Sequence, residues 1–392
     1  MIFFPTMRDD DRGHPLLYSF LLIGLLSAST VSLLSSAAPG TAIKFRPHEP
    51  NPKSLQNLVE SEYRKGFQGA VLVADHHDVI LRTAIGNADD ASKTVATPET
   101  VFDVGSITKQ FTAAAVLLLE SQGRLSVQDK LAKYFQNAPT DKQQVTIHEL
   151  LTHTSCVCSD HMKSDFEPLT RQMAVDRILK AKLQCQPGSK YEYSNSGYTL
   201  LAAIIEQVSG DSYFDFIRNK IFEPVGMKRT GFYNEKKWTN LRVAHGYMNG
   251  KDYGLVSQFA GPYWTVAGNG GVLSTIDDMH LWVETLQANK FLPAEETSKL
   301  FTRYIRQPGP KDEAFYGYGW TLGDTTLGPV ITHNGGGVGG NSDLMMFPDR
   351  SLLLIALGNR IEYKTKLGLP VNVHLYASNL NRHLRDEIAA PD

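Results

Sequence analysis

The chain has 392 residues, of which 42% are hydrophobic and 20% are charged, and its formal net charge is −2. This composition is typical of a globular protein and excludes a disordered chain, and the length is enough for a sizeable core in one large domain or two closely packed ones. The near-neutral charge, with lysines and arginines scattered along the sequence, excludes the basic patch that nucleic-acid binding needs.

The N-terminal segment differs from the rest of the chain. Residues 16–35 carry no charge, follow Arg8 and Arg12, and are succeeded by small residues. This pattern is typical of a secretory signal with cleavage near Ala37. The run is also as long as a membrane span, so an uncleaved anchor is the alternative, and a buried helix is a third. We therefore expect residues 1–38 to be a signal peptide or membrane anchor, and the chain to be exported to the periplasm or the exterior.

The first predicted elements after this leader are a helix and a hairpin. A proline-rich linker at 39–53 precedes a helix at 54–65, for which Ser54 is the expected cap. Residues 69–74 and 78–85 are strand-like runs separated by two histidines. Together these two runs predict a β-hairpin.

Helical patterns then dominate until strands return near the C-terminus. Residues 198–208 place their apolar side chains on one face, strand patterns begin again at Tyr316, and 375–388 predicts a closing helix. These elements predict an α/β fold in which an antiparallel sheet, flanked by helices, is built from both chain ends and carries an all-α insertion. The corresponding boundaries are one domain at 54–390, with an α/β part at about 54–124 and 265–390 and an all-α part at about 125–264.

The only cysteines in the sequence are Cys156, Cys158 and Cys185. In an oxidising compartment Cys185 can pair with Cys156 or Cys158, and three buried thiols are the alternative. Cys156, Cys158 and His161 lack the paired C-x-x-C spacing typical of zinc sites, so we expect no metal there.

The segment FDVGSITKQFTAAAVLLLE at 102–120 opens a predicted buried helix with two polar residues, Ser106 and Lys109. Positions i and i+3 are neighbours on a helix, so the ammonium is expected near the hydroxyl. Ser106 follows Gly105 at the helix start, where unpaired N–H groups and the helix dipole favour negative charge. This arrangement suits an activated serine nucleophile, although a capping serine beside a solvated lysine is the alternative for an isolated S-x-x-K.

Two further motifs contain candidate catalytic groups. Tyr193-Ser194-Asn195 lies just before the amphipathic helix predicted at 198–208. In this turn the tyrosine phenol can shuttle a proton and the asparagine amide can bind a carbonyl. His333-Asn334-Gly335-Gly336 follows a strand, and glycines at a strand edge allow a substrate backbone to approach. Taken singly, each motif is also compatible with an ordinary turn.

In this order, S-x-x-K, Y-S-N and H-x-G resemble the motifs of the serine β-lactamase and penicillin-binding protein superfamily, specifically its class C β-lactamase-like branch with esterases and D-amino-acid peptidases. The resemblance runs from about Leu55 to Leu384 and includes the phrases TIHELLTHTS, NGGVLSTIDDMHLW and YGYGW. The family's fold, a sheet domain beside an all-α domain with the site between them, agrees with the predicted element order.

The resemblance implies a catalytic role for three residues. Ser106 would attack a carbonyl and form an acyl-enzyme, while Lys109 and Tyr193 would take and return its proton. Asn195 would orient Lys109 or the substrate amide. The backbone N–H groups of Ser106 and Gly336 would form the oxyanion hole. The resemblance implies no metal and no cofactor.

The third motif would bind substrate through His333, Gly335 and Gly336. His333 stands where β-lactamases and penicillin-binding proteins of the family have lysine, as it often does in esterase-like and peptidase-like members. Since histidine is neutral much of the time near pH 7, it provides no permanent cation for the carboxylate of a penicillin. We therefore expect hydrolysis of an ester, a D-amino-acid peptide amide or a β-lactam bond, with esterase-like or peptidase-like activity rather than efficient β-lactamase activity.

The sequence also predicts structural features of two loops near these motifs. The family phrase LLTHTS is usually followed by glycine and here by Cys156, so we expect a different backbone or a disulfide at this point. Residues 264–271 are expected to form a wall of the site.

Other functions fit the sequence less well. His148, Glu149 and His153 have an i, i+5 histidine spacing rather than the i, i+4 spacing of zinc proteases. The glycines at 335–340 spell G-x-G-x-x-G but precede a strand pattern, which argues against a nucleotide site. A non-catalytic penicillin-binding or cell-wall sensor protein is the remaining alternative. The expected partner is a small-molecule or peptide acyl substrate, with membrane attachment only through the leader.

Overall fold

The computed structural model describes residues 51–76, 78–308, 314–366 and 369–390. For residues 363–366 and 369–374 it describes the backbone alone. The leader predicted at 1–38, and with it the choice between signal and anchor, lies outside these residues. Among the helices of the described ranges, none combines the length and apolar character that crossing a membrane requires.

The helices and strands have the following bounds. The α-helices are α1 Pro52–Arg64, α2 Thr108–Ser121, α3 Leu131–Tyr134, α4 Ile147–Leu151, α5 Arg171–Lys180, α6 Asn195–Ser209, α7 Tyr213–Ile217, α8 Glu223–Val225, α9 Ile276–Gln287, α10 Ala294–Leu300 and α11 Tyr376–Ala389. The strands are β1 Gly69–Asp75, β2 Asp78–Ile85, β3 Asn87–Asp89, β4 Thr94–Val95, β5 Phe102–Asp103, β6 Gly231–Phe232, β7 His245–Met248, β8 Lys251–Leu255, β9 Val272–Ser274, β10 Ile305–Arg306, β11 Phe315–Tyr316, β12 Thr321–Thr325, β13 Gly328–Gly337, β14 Gly340–Phe347, β15 Leu352–Gly358, β16 Arg360–Lys366 and β17 Leu369–His374.

The main sheet is antiparallel and joins the two ends of the chain. Its strand order is β10-β11-β12-β13-β14-β15-β1-β2, and the N-terminal strand β1 pairs with the C-terminal strand β15 from Gly69 opposite Gly358 to Asp75 opposite Leu352. The predicted hairpin is formed by β1 and β2. The fold prediction, an antiparallel sheet built from both chain ends, is confirmed.

Alternation along β1 directs its side chains to two hydrophobic layers. Val71 and Val73 belong to the layer under α1 and α11, whereas Ala70 and Leu72 belong to the larger core that contains α2, α6 and α9. Because successive strand residues point to opposite faces, a strand covered on both faces is apolar throughout. Residues 69–74 of β1 are accordingly all buried. Helix α2, which directly follows the turn that contains Ser106, lies in the larger core.

The N-terminus of α1 differs from the prediction. Asn51, not Ser54, caps this helix, and its side-chain oxygen accepts hydrogen bonds from the N–H groups of Lys53 and Ser54. Pro52 occupies the first helical turn, where its missing N–H costs no hydrogen bond. The helix therefore starts earlier than predicted, and the Ser54 hydroxyl instead donates to Glu387 of α11.

The segment 125–264, expected to be all-helical, also contains the short strands β6, β7 and β8. The turn between β7 and β8 is Asn249–Gly250, and both residues have positive φ angles, 53° and 75°. Two-residue hairpins require this conformation, which Asn-Gly adopts readily. β7 also pairs in parallel with β16, so these strands join the middle of the chain to its C-terminal part. The boundaries between the two predicted parts stay predictions.

Candidate active site

Ser106 lies in a single helical turn, Gly105–Ile107, that leads directly into α2. Gly105 has a φ of +53°, and a Cβ atom at this position would lie 2.7 Å from the backbone nitrogen of Gly336. Glycine is therefore required both by the turn and by the close approach of β13. This turn presents Ser106 at the beginning of the buried helix, as the sequence predicted.

The side chain of Lys109 is completely buried and points to Ser106. Its Nζ atom lies 3.0 Å from Ser106 Oγ, 2.8 Å from Asn195 Oδ1 and 3.0 Å from the backbone oxygen of Asn269. The structure thus brings together the serine and lysine of the first motif and the asparagine of the second. The sequence analysis had not identified the third contact, with Asn269.

Burial changes the proton affinity of Lys109. It lowers the pKa of the amine from 10.5 to about 7, while the negative charge of Asp160 raises this pKa in part. Desolvation disfavours the charged form of a lysine, and no carboxylate is among its three direct hydrogen-bond partners. Near neutral pH a large fraction of the amine is therefore unprotonated and able to accept a proton from Ser106.

Tyr193 precedes α6 and reaches the same serine. Ser194 caps the helix by accepting a hydrogen bond from the Gly197 N–H at 2.9 Å, which fixes the turn that carries Tyr193. The tyrosine hydroxyl interacts with Ser106, and this interaction lowers the pKa of the phenol by less than burial raises it. Burial raises the pKa of Tyr193 above that of an ordinary phenol. The phenol therefore keeps its proton at neutral pH and is suited to donate it.

Asn195 connects Lys109 with an acidic residue that the sequence analysis had not identified. Its Oδ1 atom accepts from Lys109, and its Nδ2 atom donates to Asp160 Oδ1 at 2.9 Å. Because the Asp160 contact orients the amide, the oxygen rather than the nitrogen faces Lys109. This geometry is consistent with the predicted role of Asn195 in orienting Lys109.

The glycines of the third motif run alongside the Ser106 turn. A Cβ atom on Gly335 would lie 2.0 Å from the carbonyl oxygen of Val104 and 2.9 Å from the Ser106 nitrogen. Only glycine fits there, so Gly335 serves the packing of β13 against the turn. Gly336, by contrast, lines the cavity with Ser106, which places both expected oxyanion-hole residues at one cavity.

His333 is buried between β11 and its own strand. Its Nδ1 atom lies 2.6 Å from the backbone oxygen of Asn334, and its Nε2 atom lies 2.9 Å from the Tyr316 hydroxyl. These contacts fit a neutral ring that donates from Nδ1 and accepts at Nε2. Burial, together with the charge of Lys109, lowers the pKa of His333 to about 3. The imidazole therefore carries no charge at neutral pH.

A cavity of about 70 Å³ opens in front of Ser106. Its lining includes Asn195, Gly336 and the segment Asn269–Gly271, which is part of the wall expected at 264–271. A second and larger cleft of about 690 Å³ is lined by other residues of β13, among them His333, and by Tyr193 and Tyr316. The serine cavity and the larger cleft together leave room for a substrate that extends along β13.

A disulfide between Cys156 and Cys185 lies close to the Y-S-N turn, and Cys158 is a free, half-buried thiol. This pairing is one of the two that the sequence allowed, and it uses the cysteine that follows LLTHTS. Since Cys156 is bonded to Cys185, it is not a metal ligand.

The residues of the rejected motifs have other contacts. His148 contacts Tyr318 at 2.7 Å, and Glu149 completes the capping box of α4. The glycines at 335–340 form the ends of β13 and β14, a hairpin rather than a strand followed by a helix. Neither group therefore has the geometry of a zinc or nucleotide site.

Among the described residues, one cluster, Asp89, His245 and Asp252, has the ligand types and spacing of a metal site. It lies partly exposed, and both carboxylates already accept protein hydrogen bonds, from Ser92 and from the Gly254 N–H. The cluster does not include Ser106 or the residues that contact it.

Comparison with known proteins identifies the family of this chain. The family model described as Beta-lactamase matches residues 55–372. Penicillin-binding protein 4* of Bacillus subtilis (strain 168) is 31% identical over 331 residues, which cover 79% of this chain and 72% of the relative.

Two solved structures show the same fold. The octameric penicillin-binding protein homologue from Pyrococcus abyssi is 27% identical, with a TM-score of 0.70 over 84% of this chain and 75% of that one. The D-amino acid amidase from Ochrobactrum anthropi SV3, complexed with L-phenylalanine amide, is 20% identical, with a TM-score of 0.73 over 86% of this chain and 98% of that one. Since the family model matches most of its length and a relative is 31% identical to it, this chain belongs to the Beta-lactamase family.

Proposed function

We propose that this protein is a serine hydrolase that forms an acyl-enzyme on Ser106. The observation that carries this proposal is the buried amine of Lys109, 3.0 Å from Ser106 Oγ and with a pKa lowered to about 7. A general base works best when its pKa is near the working pH, and a neutral amine in contact with a hydroxyl meets that requirement.

The acylation step follows from the positions of these groups. Neutral Lys109 accepts the Ser106 proton while Oγ forms a bond to the substrate carbonyl carbon. The N–H groups of Ser106 and Gly336 bind the developing oxyanion. Tyr193 gives its proton to the leaving group as the scissile bond breaks, and the Lys109 ammonium returns a proton to Tyr193. Water then attacks the ester, with the same groups accepting its proton and returning one to Ser106.

The proposed substrates are esters, D-amino-acid peptide amides or β-lactams, with esterase-like or peptidase-like activity in preference to efficient β-lactamase activity. The neutral state of His333 supports this preference. Its Nε2 atom is engaged by Tyr316 and its pKa is lowered to about 3, so it provides no cation for a penicillin carboxylate. The small cavity at Ser106 supports an acyl group of modest size.

Intact mass spectrometry tests the proposal directly. The chain from Ala38 onward is incubated with a p-nitrophenyl ester and, in parallel, with a penicillin, and Ser106→Ala is the control. We expect release of p-nitrophenol by the parent chain and none above background by Ser106→Ala, without a lasting penicillin adduct.

Each outcome has a distinct meaning. A lasting Ser106-dependent penicillin adduct without ester turnover would support the alternative, a penicillin-binding or sensor protein. Ester hydrolysis that survives in Ser106→Ala would contradict the assignment of the nucleophile.

We also propose that the chain is exported. The apolar run at 16–35 is typical of a leader. The Cys156–Cys185 disulfide supports the same conclusion, because such bonds persist in oxidising compartments. N-terminal sequencing of the mature protein would show a start near Ala38 if the leader is cleaved, and retention of Met1 in a membrane fraction if it is an anchor.

A further inference from the structure

His153 is a buried residue outside the three catalytic motifs. It lies in the loop after α4 and has no exposed surface. Its φ angle is +58°, in the left-handed region that non-glycine residues rarely adopt. Such a conformation persists only where the surrounding contacts determine it, and these contacts involve the turn that carries Tyr193.

Two hydrogen bonds join His153 to the residues on either side of Tyr193. The carbonyl oxygen of His153 accepts from the Glu192 N–H at 2.7 Å. Its Nδ1 atom accepts from the Ser194 N–H at 3.0 Å. Because the main chain is fixed immediately before and after Tyr193, the starting point and direction of the tyrosine side chain are fixed as well.

The imidazole ring also contacts the phenol ring itself. The two ring centroids are 4.3 Å apart, and the His153 centroid is 4.6 Å from that of Tyr316. Tyr316 in turn is hydrogen-bonded to His333. His153 therefore lies between Tyr193 of the second motif and Tyr316, the hydrogen-bond partner of His333 in the third motif.

The protonation state of His153 follows from these contacts. Nδ1 can accept the Ser194 N–H only when it carries no proton, so the ring proton is on Nε2. Burial lowers the pKa of His153 well below its ordinary value, and the charge of Lys109 lowers it further. Within the described part of the chain, Nε2 has no hydrogen-bond partner.

Packing alone does not explain a histidine at this position. A buried N–H without a partner costs free energy, and phenylalanine would fill a similar space without that cost. Phenylalanine lacks the Nδ1 acceptor for the Ser194 N–H, and it tolerates the positive φ at this position less well than histidine does.

We propose that His153 is a positioning residue that holds Tyr193 against Ser106 through the main chain on both sides of the tyrosine. This inference rests on the proposed acyl transfer through Ser106. His153 contacts neither the nucleophile nor the cavity in front of it, and it acts only through Tyr193. Displacing a catalytic group by about 1 Å can lower a rate by about a hundredfold, so a modest shift of the phenol is sufficient to matter.

Two substitutions separate the acceptor from the ring. His153→Phe keeps a ring but removes the acceptor, whereas His153→Asn keeps an acceptor at the same distance along the side chain. Asparagine also tolerates a positive φ, so this variant preserves the backbone. With a p-nitrophenyl ester, we expect His153→Phe to lower kcat by about tenfold or more with little change in KM, and His153→Asn to recover most of that loss.

A double-mutant cycle with Tyr193→Phe distinguishes positioning from a general loss of structure. If His153 acts through the phenol, His153→Phe has little further effect on kcat once the Tyr193 hydroxyl is absent. An equal fold-loss in both backgrounds, or full activity of His153→Phe alone, would overturn the inference.

A crystal structure of His153→Phe gives a result that does not depend on turnover. We expect the Tyr193 hydroxyl to lie farther from Ser106 Oγ than in the unsubstituted chain, and an unmoved hydroxyl would contradict the inference. Failure of the proposed function would give a different result, because the unsubstituted chain would then show no Ser106-dependent hydrolysis. The position of Tyr193 could still be compared between the unsubstituted chain and His153→Phe.

Discussion

Lys109 is completely buried, yet its amine is placed to accept a proton from Ser106. Its three neighbours, Ser106 Oγ, Asn195 Oδ1 and the Asn269 carbonyl oxygen, match the three donors of an ammonium. When the amine loses one proton, its lone pair faces one of these atoms. Only Ser106 has a proton to give at that contact, so deprotonation of Lys109 directs the lone pair to the nucleophile.

The rate of acylation should therefore depend on the titration of Lys109. Protonated lysine cannot accept the serine proton, and the neutral fraction increases as pH rises through the pKa of about 7. We expect kcat/KM for a p-nitrophenyl ester to rise with pH, with a midpoint near that value, and then to level off. The measurement is initial-rate kinetics from pH 5 to 10, corrected with Ser106→Ala for spontaneous hydrolysis. A flat profile would show that Lys109 is not the base.

Much of the site could be predicted because its residues lie in short motifs. Ser106 and Lys109 are one helical turn apart, so their contact follows from helix geometry alone. Asp160 and the carbonyl oxygen of Asn269 could not be predicted in the same way, because they reach the site through loops distant in sequence. The family phrase NGGVLSTIDDMHLW begins at Asn269, but the sequence gives no indication that the backbone oxygen of this residue contacts Lys109.

At the scale of elements, the segment between α4 and α6, which contains α5, determines where the second motif lies. Its two ends are joined by hydrogen bonds from the Gln184 N–H to the Cys156 oxygen and from the Gly188 N–H to the Thr154 oxygen, both 2.8 Å. The Cys156–Cys185 disulfide connects the same two segments covalently. The turn that carries Tyr193 thus starts from a cross-linked base.

Removal of this cross-link should affect both stability and activity. We expect the double variant Cys156→Ala/Cys185→Ala to lose about 2–4 kcal/mol of unfolding free energy, since the unfolded chain gains freedom. Its kcat should also fall, because the base of the Tyr193 turn is loosened. Urea unfolding and ester kinetics provide the two measurements.

Cys158→Ala is the matched control, because it removes the unpaired thiol of the same loop. Unfolding free energy close to that of the parent chain is expected for this variant. Equal destabilisation by both changes would mean that loss of packing, not loss of the disulfide, is responsible.

Helices and strands with a long apolar pattern were predicted well, and those with a short pattern were predicted poorly. The helix at α6 and the hairpin of β1 and β2 have continuous apolar patterns, which sequence reasoning recognises. β7 and β8 are only four and five residues long, so their alternation was hidden in a segment that otherwise reads as helical. The Asn249–Gly250 turn was the available indication of that hairpin.

At the scale of the whole molecule, the layer under α1 and α11 joins the two chain ends. Leu55 and Val59 of α1 pack in the same cluster as Leu380 and Leu384 of α11, against the face of the sheet opposite to α2. The proposed catalytic residues lie on the other side of the sheet, yet the strand that approaches Ser106, β13, belongs to the same sheet. Stability of this layer and integrity of the site should therefore be lost together.

A truncation in this layer tests that coupling. Leu380 has no exposed surface, so Leu380→Ala should lower the free energy of unfolding by about 2–5 kcal/mol through lost burial and a cavity. Urea unfolding, followed by fluorescence and by ester hydrolysis, should show one shifted transition with both probes. Asp386→Ala, at an exposed position of the same helix, should leave the midpoint nearly unchanged. Activity lost well before fluorescence would show that the site unfolds separately.

The pairing of β1 with β15 has a consequence for the order of events during synthesis. β1 lies between β2 and β15 in the sheet, so its second neighbour is made only when almost the whole chain has been translated. Contacts between distant parts of a sequence form slowly, because closing a long loop costs entropy first. A nascent chain of this topology cannot complete its main sheet early. The edge at which β1 meets β15 therefore stays without its partner strand until the last part of the chain has been made.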